Sequence, residues 1–177
     1  MPTNLLLQET KERFLREKAL ADGAMAQVSS QEFLATLDGE ANSIGVIVKH
    51  LGGNLKSRWT EFLSSDGEKA SRDRDAEFLA ETAETRESLL ETWEAGWRCL
   101  FDSLDSLSSD DLVKTVVIRG ESHSAISAML RSLTHTAEHV GQIVLLAKHF
   151  AGPRWRTLSV PRGQSREFTA AMLKKRG

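Results

Sequence analysis

The sequence predicts an all-α protein: a four-helix bundle with a small β-hairpin inserted before the last long helix. Three observations carry that expectation. Four long stretches repeat apolar residues at the i, i+3, i+4 recurrence of an amphipathic helix. The chain has only 3 prolines and no tyrosine, while Leu, Ala, Glu and Arg are frequent, a mixture that favours helix over sheet. One β-branched run, Thr115-Val116-Val117-Ile118, leads into Arg119-Gly120-Glu121 and reads as a hairpin arm. At 177 residues, 40% hydrophobic and 27% charged, the chain can bury a core without disulfides or a structural metal.

The first helix covers residues 3–28, with Leu7, Phe14, Ala21, Met25 and Val28 on its apolar face. Ser29-Ser30-Gln31-Glu32 is a capping box that opens a short helical turn, and Asp38-Gly39 breaks it. The second helix starts at Asn42 as N-cap and runs to about Leu63, on a stripe of Ile44, Ile47, Val48, Leu51, Leu55, Trp59 and Phe62. Gly52-Gly53 interrupts it at roughly 1 kcal/mol per Gly, tolerable where another backbone comes close. Polar residues 64–74 read as a loop. The third helix, from Thr85 to Leu104, aligns Leu90, Trp93, Trp97, Leu100 and Leu104, with both Trp as core residues. The fourth runs from Ser124 to Phe150, with one apolar stripe through Ile126, Leu130, Leu133, Ala137, Val140 and Val144. Gly152-Pro153 stops it. Residues 1–151 are expected to form the bundle, and 152–177 a basic C-terminal extension packed on the same domain.

Charge and cysteine usage narrow the function classes. The net charge is −2, of which residues 152–177 contribute +6 and the remainder −8. An acidic body repels a phosphate backbone, so no nucleic-acid partner is expected. A single cysteine, Cys99, allows no internal disulfide and no CxxC-type zinc site, and its place between Trp97 and Leu100 reads as an inert core thiol. No apolar run approaches a membrane span, and residues 1–7 are too short for a secretory segment; a cytoplasmic protein is expected. No Ser-His-Asp grouping, phosphate loop or dinucleotide fingerprint competes.

Histidine is the residue type that points to chemistry. His135 and His139 are four apart on the fourth helix, so they stand one turn apart, roughly 6 Å along the axis, on one face. Such a pair can occupy adjacent positions on one metal ion. Buried imidazoles need partners for both nitrogens, and metal ligation is a direct way to supply one. His50 lies off the main stripe of the second helix and completes a three-nitrogen set if that face meets the fourth helix. Three His with an open position form a catalytic-type site. Core or surface histidines bonded to backbone are the other reading of the same spacing. His123 reads as a surface residue after the hairpin turn, and His149 as a favourable cation at a helix C-terminus. Glu138 falls on a solvated face, Gln142 is placed to line a metal cavity, and Arg58 to bind an anionic carboxylate.

Two segments, His50-Leu51-Gly52-Gly53-Asn54-Leu55-Lys56-Ser57-Arg58-Trp59 and His135-x-x-x-His139-Val140-Gly141-Gln142-Ile143, resemble the DinB/YfiT-like family of metal-dependent four-helix bundles. Their order, their 85-residue separation and the hairpin before the last helix also fit, to about Phe150. The closest match is a DinB-like subfamily of unknown function. The resemblance implies up-down-down-up topology, frequent homodimers, and a divalent metal, zinc or nickel, on His50, His135 and His139. Relatives of known chemistry use a low-molecular-weight thiol such as bacillithiol, which they transfer or employ as an isomerisation cofactor.

The function expected is therefore a metal-dependent enzyme acting on a small molecule, first a thiol S-transferase, with Arg58 and Gln142 toward the substrate. A metal-dependent hydrolase shares the ligands. A non-catalytic metal-binding or stress-response protein is the alternative from another class.

Overall fold

The computed structural model describes residues 3–79 and 83–174. Among these, six α-helices carry most of the structure: α1 (Thr3–Met25), α2 (Ser30–Leu34), α3 (Ile44–Trp59), α4 (Arg86–Ser106), α5 (Ala125–Ala151) and α6 (Ser165–Lys174). An antiparallel hairpin of β1 (Thr115–Ile118) and β2 (Glu121–Ser124) precedes α5, in the register Thr115↔Ser124 to Ile118↔Glu121. α3 packs chiefly on α4 and α1 chiefly on α5, while α3 also meets α5 and α1 meets α4. No helix among the described residues is long and apolar enough to cross a membrane.

Local sequence explains the ends of these elements. The Ser29–Glu32 capping box forms as expected. The N-cap of α3 is Ser43 rather than Asn42: its Oγ accepts from the Val46 N–H at 3.1 Å, and Ser43 is itself buried. The helix stops at Trp59, four residues before the sequence expectation, and Glu61 follows with φ of 50°. The hairpin turn places Arg119 and Gly120 at φ 55° and 77°, the two positive values a tight two-residue turn needs. Asp66 accepts both of their backbone N–H groups at 2.8 Å and so offsets the strain at Arg119.

Aromatic rings fill the centre. Phe14 meets Trp59 and Trp97 edge-on, with centroids 5.8 and 6.2 Å apart. Two of the three buried indoles reach a polar partner, and Trp97 Nε1 has none among the described residues. Trp59 Nε1 donates to Ser132 Oγ at 3.1 Å and Trp93 Nε1 to Asp22 Oδ1 at 2.9 Å. Two stripes differ from the periodicity. On α4 the buried residue is Leu89, four before Trp93, and Leu90 is only half-buried. On α5 Leu130 is 51% exposed, and the inward face is Ala128, Ser132, Thr136, Val140, Ile143 and Ala147. A stripe that includes Ser and Thr is invisible to apolar periodicity, yet Ser132 is the partner that the Trp59 indole requires.

The C-terminal extension returns to the first helix. Arg156 N–H donates to Gln27 Oε1 at 2.6 Å, Gln27 Nε2 donates to the Arg156 carbonyl at 3.1 Å, and Leu158 lies against Gly23. Trp155 packs on the core. α6 buries no residue, and its Phe168, Met172 and Leu173 stand exposed. Lys175 and Arg176 of the basic segment lie outside the described residues.

Gly52 and Gly96 bring α3 and α4 together. A Cβ on Gly52 would lie 2.7 Å from the Thr92 carbonyl oxygen, and one on Gly96 2.6 Å from the Gly52 carbonyl oxygen. Gly52→Ala is therefore expected to destabilise the protein by roughly 1–3 kcal/mol through overpacking. Gly141→Ala, on a helix position with open space around it, should stabilise by about 0.5–1 kcal/mol. Urea unfolding of the two variants beside the parent checks the opposite signs.

Candidate metal centre

His50 on α3 and His135 and His139 on α5 converge where the two helices meet. One nitrogen of each ring lies within 4.8 Å of the other two. His50 Nε2 is 3.3 Å from His135 Nε2, and the His139 ring centroid is 4.9 and 4.7 Å from those of His50 and His135. His50 is buried and the other two are half-buried.

The outer nitrogens show which ends of the rings are available. His50 Nδ1–H donates to Glu77 Oε2 at 2.9 Å. An ionised carboxylate only accepts, so this bond fixes the proton on Nδ1 and leaves the Nε2 lone pair facing the cluster. Arg72 grips the same carboxylate from behind, Nε to Oε1 at 2.7 Å and Nη2 to Oε2 at 2.6 Å. Burial raises the Glu77 carboxyl, but the bonds from His50 and Arg72 outweigh it and hold the group below the usual carboxylate range. His139 Nδ1–H donates to Gln142 Oε1 at 3.0 Å, which leaves its Nε2 unengaged in the same way. His135 Nδ1 is buried without a partner. Burial, then the neighbouring His139 and His50, push the His135 imidazole down to about 4. Burial also lowers His139.

This donor set fits a divalent ion. At Zn–N distances of ~2.05 Å, two ligands on a tetrahedral ion lie about 3.3 Å apart. That is the separation of the His50 and His135 Nε2 atoms. The lone pairs that His50 and His139 present at Nε2 are free to ligate a cation, and His135 joins them by turning its own Nε2 to the same point. The carboxylate behind His50 is the outer partner that a metal-ligating imidazole ordinarily has.

Glu77 is the site residue that sequence reasoning missed. It sits in a 3-10 turn, Ala76–Phe78, just beyond the segment read as loop, where no periodicity marks it. The signal that bears on it is Gly53, three residues after His50. A Cβ there would lie 2.2 Å from Glu77 Oε1, so the second glycine of the pair admits a carboxylate, not a backbone.

The remaining candidates are distributed as follows. Arg58 Nη2 bonds Glu68 Oε2 at 3.0 Å while its Nη1 is buried without a partner. Gln142 supports His139 and borders a separate groove with Asn42 and Ile47. His123 is on β2, 3.9 Å from Glu121, and His149 stacks edge-on to Phe150; neither joins the cluster. Cys99 is half-buried, 3.2 Å from Thr60 Oγ1, and Glu138 is exposed. A cavity of about 200 Å³ opens beside His50 and His135, bounded by Arg58, Ile118, Ala128 and Ser132 among others.

A family model described as Protein of unknown function (DUF1572) matches residues 2–164. No curated protein and no solved structure matches the chain.

A ring with a depressed folded pKa contributes stability that is fully present above the ordinary imidazole value of ~6.5. That stability is lost as pH falls toward about 4. The metal-free protein should therefore lose stability through this interval, and His135→Gln should flatten the loss. Thermal melts across the interval, with nitrogen-15 spectra of the ring at pH ~5.5 still reporting a neutral imidazole, check both.

Proposed function

We propose that this chain, which belongs to the DUF1572 family of proteins of unknown function, is a metal-dependent enzyme holding a divalent ion on His50, His135 and His139. The observation that carries the reading is the convergence of three ring nitrogens, one of them held by a buried carboxylate. On this reading the fold is the DinB-like four-helix bundle of up-down-down-up topology. The pairings of α1 with α5 and of α3 with α4 support it.

Low-molecular-weight thiol S-transfer is the first activity to test, with zinc or nickel as the ion. Bound there, such an ion supplies Lewis acidity and lowers the pKa of a thiol or water at its open position. Three imidazoles are neutral ligands and leave the ionic charge uncompensated. Glu77 and Gln142 hold the His50 and His139 rings in the tautomer that presents Nε2. Arg58 lines the cavity and anchors a carboxylate of the thiol or its acceptor. Among the described residues, no Asp or Glu lines the cavity. Hydrolysis ordinarily recruits a carboxylate base for water, whereas an acidic thiol needs none, and this favours thiol transfer over the hydrolase reading.

Zinc titration is expected to saturate at about one ion per chain. Glu77→Gln should weaken that binding roughly 10- to 100-fold. His139→Ala should abolish it while the circular dichroism spectrum and cooperative melt persist, since the helix stripes bury far more than one open site supplies. Unfolding on chelation would mark the site as structural. Turnover should require both metal and thiol and rise with pH until the thiol is ionised. Metal-loaded protein inert toward a panel of thiols with halide or epoxide acceptors would remove the enzyme reading and leave the non-catalytic one. A twofold dimer belongs to the same proposal, with Leu130 and Leu145 exposed on α5. Sedimentation as a monomer at high micromolar concentration would remove that part alone.

A further inference from the structure

Among the described residues, four arginines line the cavity beside the histidines, and no acid does. Arg58 comes from α3, Arg74 from the segment before Glu77, Arg119 from the hairpin turn and Arg131 from α5. Their meeting is a product of the fold, because no basic run in the sequence contains them. Like charges gathered around one small space repel unless something compensates them.

The compensation within the protein is incomplete. Glu68 pairs with Arg58 and Arg119 at 3.0 Å each, and shares the same carboxylate with Arg72 at 3.1 Å. One carboxylate thus serves three guanidinium groups. The Arg58 side chain is 12% exposed, and its Nη1 has no acceptor. A buried guanidinium N–H without an acceptor is costly, so the Glu68 bond leaves the Arg58 charge only partly satisfied. Among the described residues Arg74 has only Asp75 as an acidic partner, at 3.9 Å, and its guanidinium lies 5.1 Å over the Phe78 ring, whose own centroid is 4.5 Å from that of His50. Arg131 has no hydrogen bond or ion pair among the described residues. Asn54 and Ser132 add neutral polar groups to the wall.

We propose that this cavity is the recognition site for a small dianionic oxyanion, a phosphate monoester or a dicarboxylate, gripped by Arg58, Arg74, Arg119 and Arg131. Guanidinium forks match both groups, because each presents two or more acidic oxygens to paired N–H donors. The volume of about 200 Å³ restricts the ligand to a small molecule, below the usual range of drug-sized pockets. Because His50 and His135 line the same cavity, a ligand held by the arginines lies beside the histidine cluster. This last step rests on the metal-site reading; anion capture itself does not.

The test is calorimetric titration of inorganic phosphate and, separately, succinate into the full chain at fixed ionic strength. Metal is first removed with 1,10-phenanthroline, since a polycarboxylate chelator would itself compete for the arginines. One anion per chain is expected, and the tighter of the two probes identifies the chemistry. Arg131→Gln, a variant without internal contacts to lose, should weaken binding roughly 10- to 100-fold. Arg98→Gln on the exposed face of α4 should change nothing. Absence of saturable binding by either probe, or binding indifferent to Arg131→Gln, overturns the proposal. Zinc content measured on the same preparations separates the two readings. Protein that takes zinc but no anion loses only the anion site, and protein that takes the anion but no zinc loses only the metal site.

Discussion

One buried carboxylate organises this protein. Glu77 lies between the His50 ring and the Arg72 guanidinium, all three of them almost wholly inside. Removing an ionised carboxylate from water is costly, and the cost is offset only while both partners remain in place. The chain from 64 to 79 is therefore held closed on α3, although it has little regular structure of its own. Arg72 also reaches Glu68, and Glu68 reaches Arg58 and Arg119. The same chain of bonds thus sets a ring tautomer at one end and the tip of a hairpin at the other. Apolar packing brings the helices together, while this polar relay decides what their junction can bind.

Room for the relay comes from two adjacent residues with no side chain. Gly52 lets the α4 backbone approach, and Gly53 lets the Glu77 carboxylate approach from another side. The two cost helix propensity at the same turn, and both are repaid in contact that no other residue type permits. A third glycine, Gly96, is the α4 counterpart of Gly52, so the closeness of the two helices is built from both partners. His50, two residues before Gly52, inherits its place from this close contact of α3 with α4.

Much of this was legible in the sequence, for identifiable reasons. The apolar positions read for the first helix, Leu7, Phe14, Ala21, Met25 and Val28, are all buried, although the helix itself ends at Met25 and Val28 is buried from the turn that follows. The hairpin followed from a β-branched run with a glycine at its turn. His135 and His139 share a helix face by spacing, and His50 meets them because α3 crosses α5. What escaped was set by tertiary contact. Ser43 took the capping place from Asn42, Leu89 displaced Leu90, and Ser132 sits inward where Leu130 was expected, since an indole across the core needed its hydroxyl. Glu77 left no trace but the glycine that makes room for it, Gly53, and Arg74 and Arg131 left none. Their meaning lies in what comes to face them across gaps of dozens of residues, and composition registers them only as solvated charge.

The pairing of α1 with α5 has a consequence for how the molecule comes into being. His50 and His135 are 85 residues apart, and the helices that bring them together belong to a chain whose early and late segments lie side by side. Closing so long a loop carries an entropic penalty that must be met before any distant contact can reward it. Ligand clusters spaced over a few residues can recruit an ion while the chain is still forming, and the ion then directs folding. Here no such early template exists. The histidine cluster is a late product of chain closure, so a nascent polypeptide emerging from the ribosome has no competent pocket until its last long helix has been made.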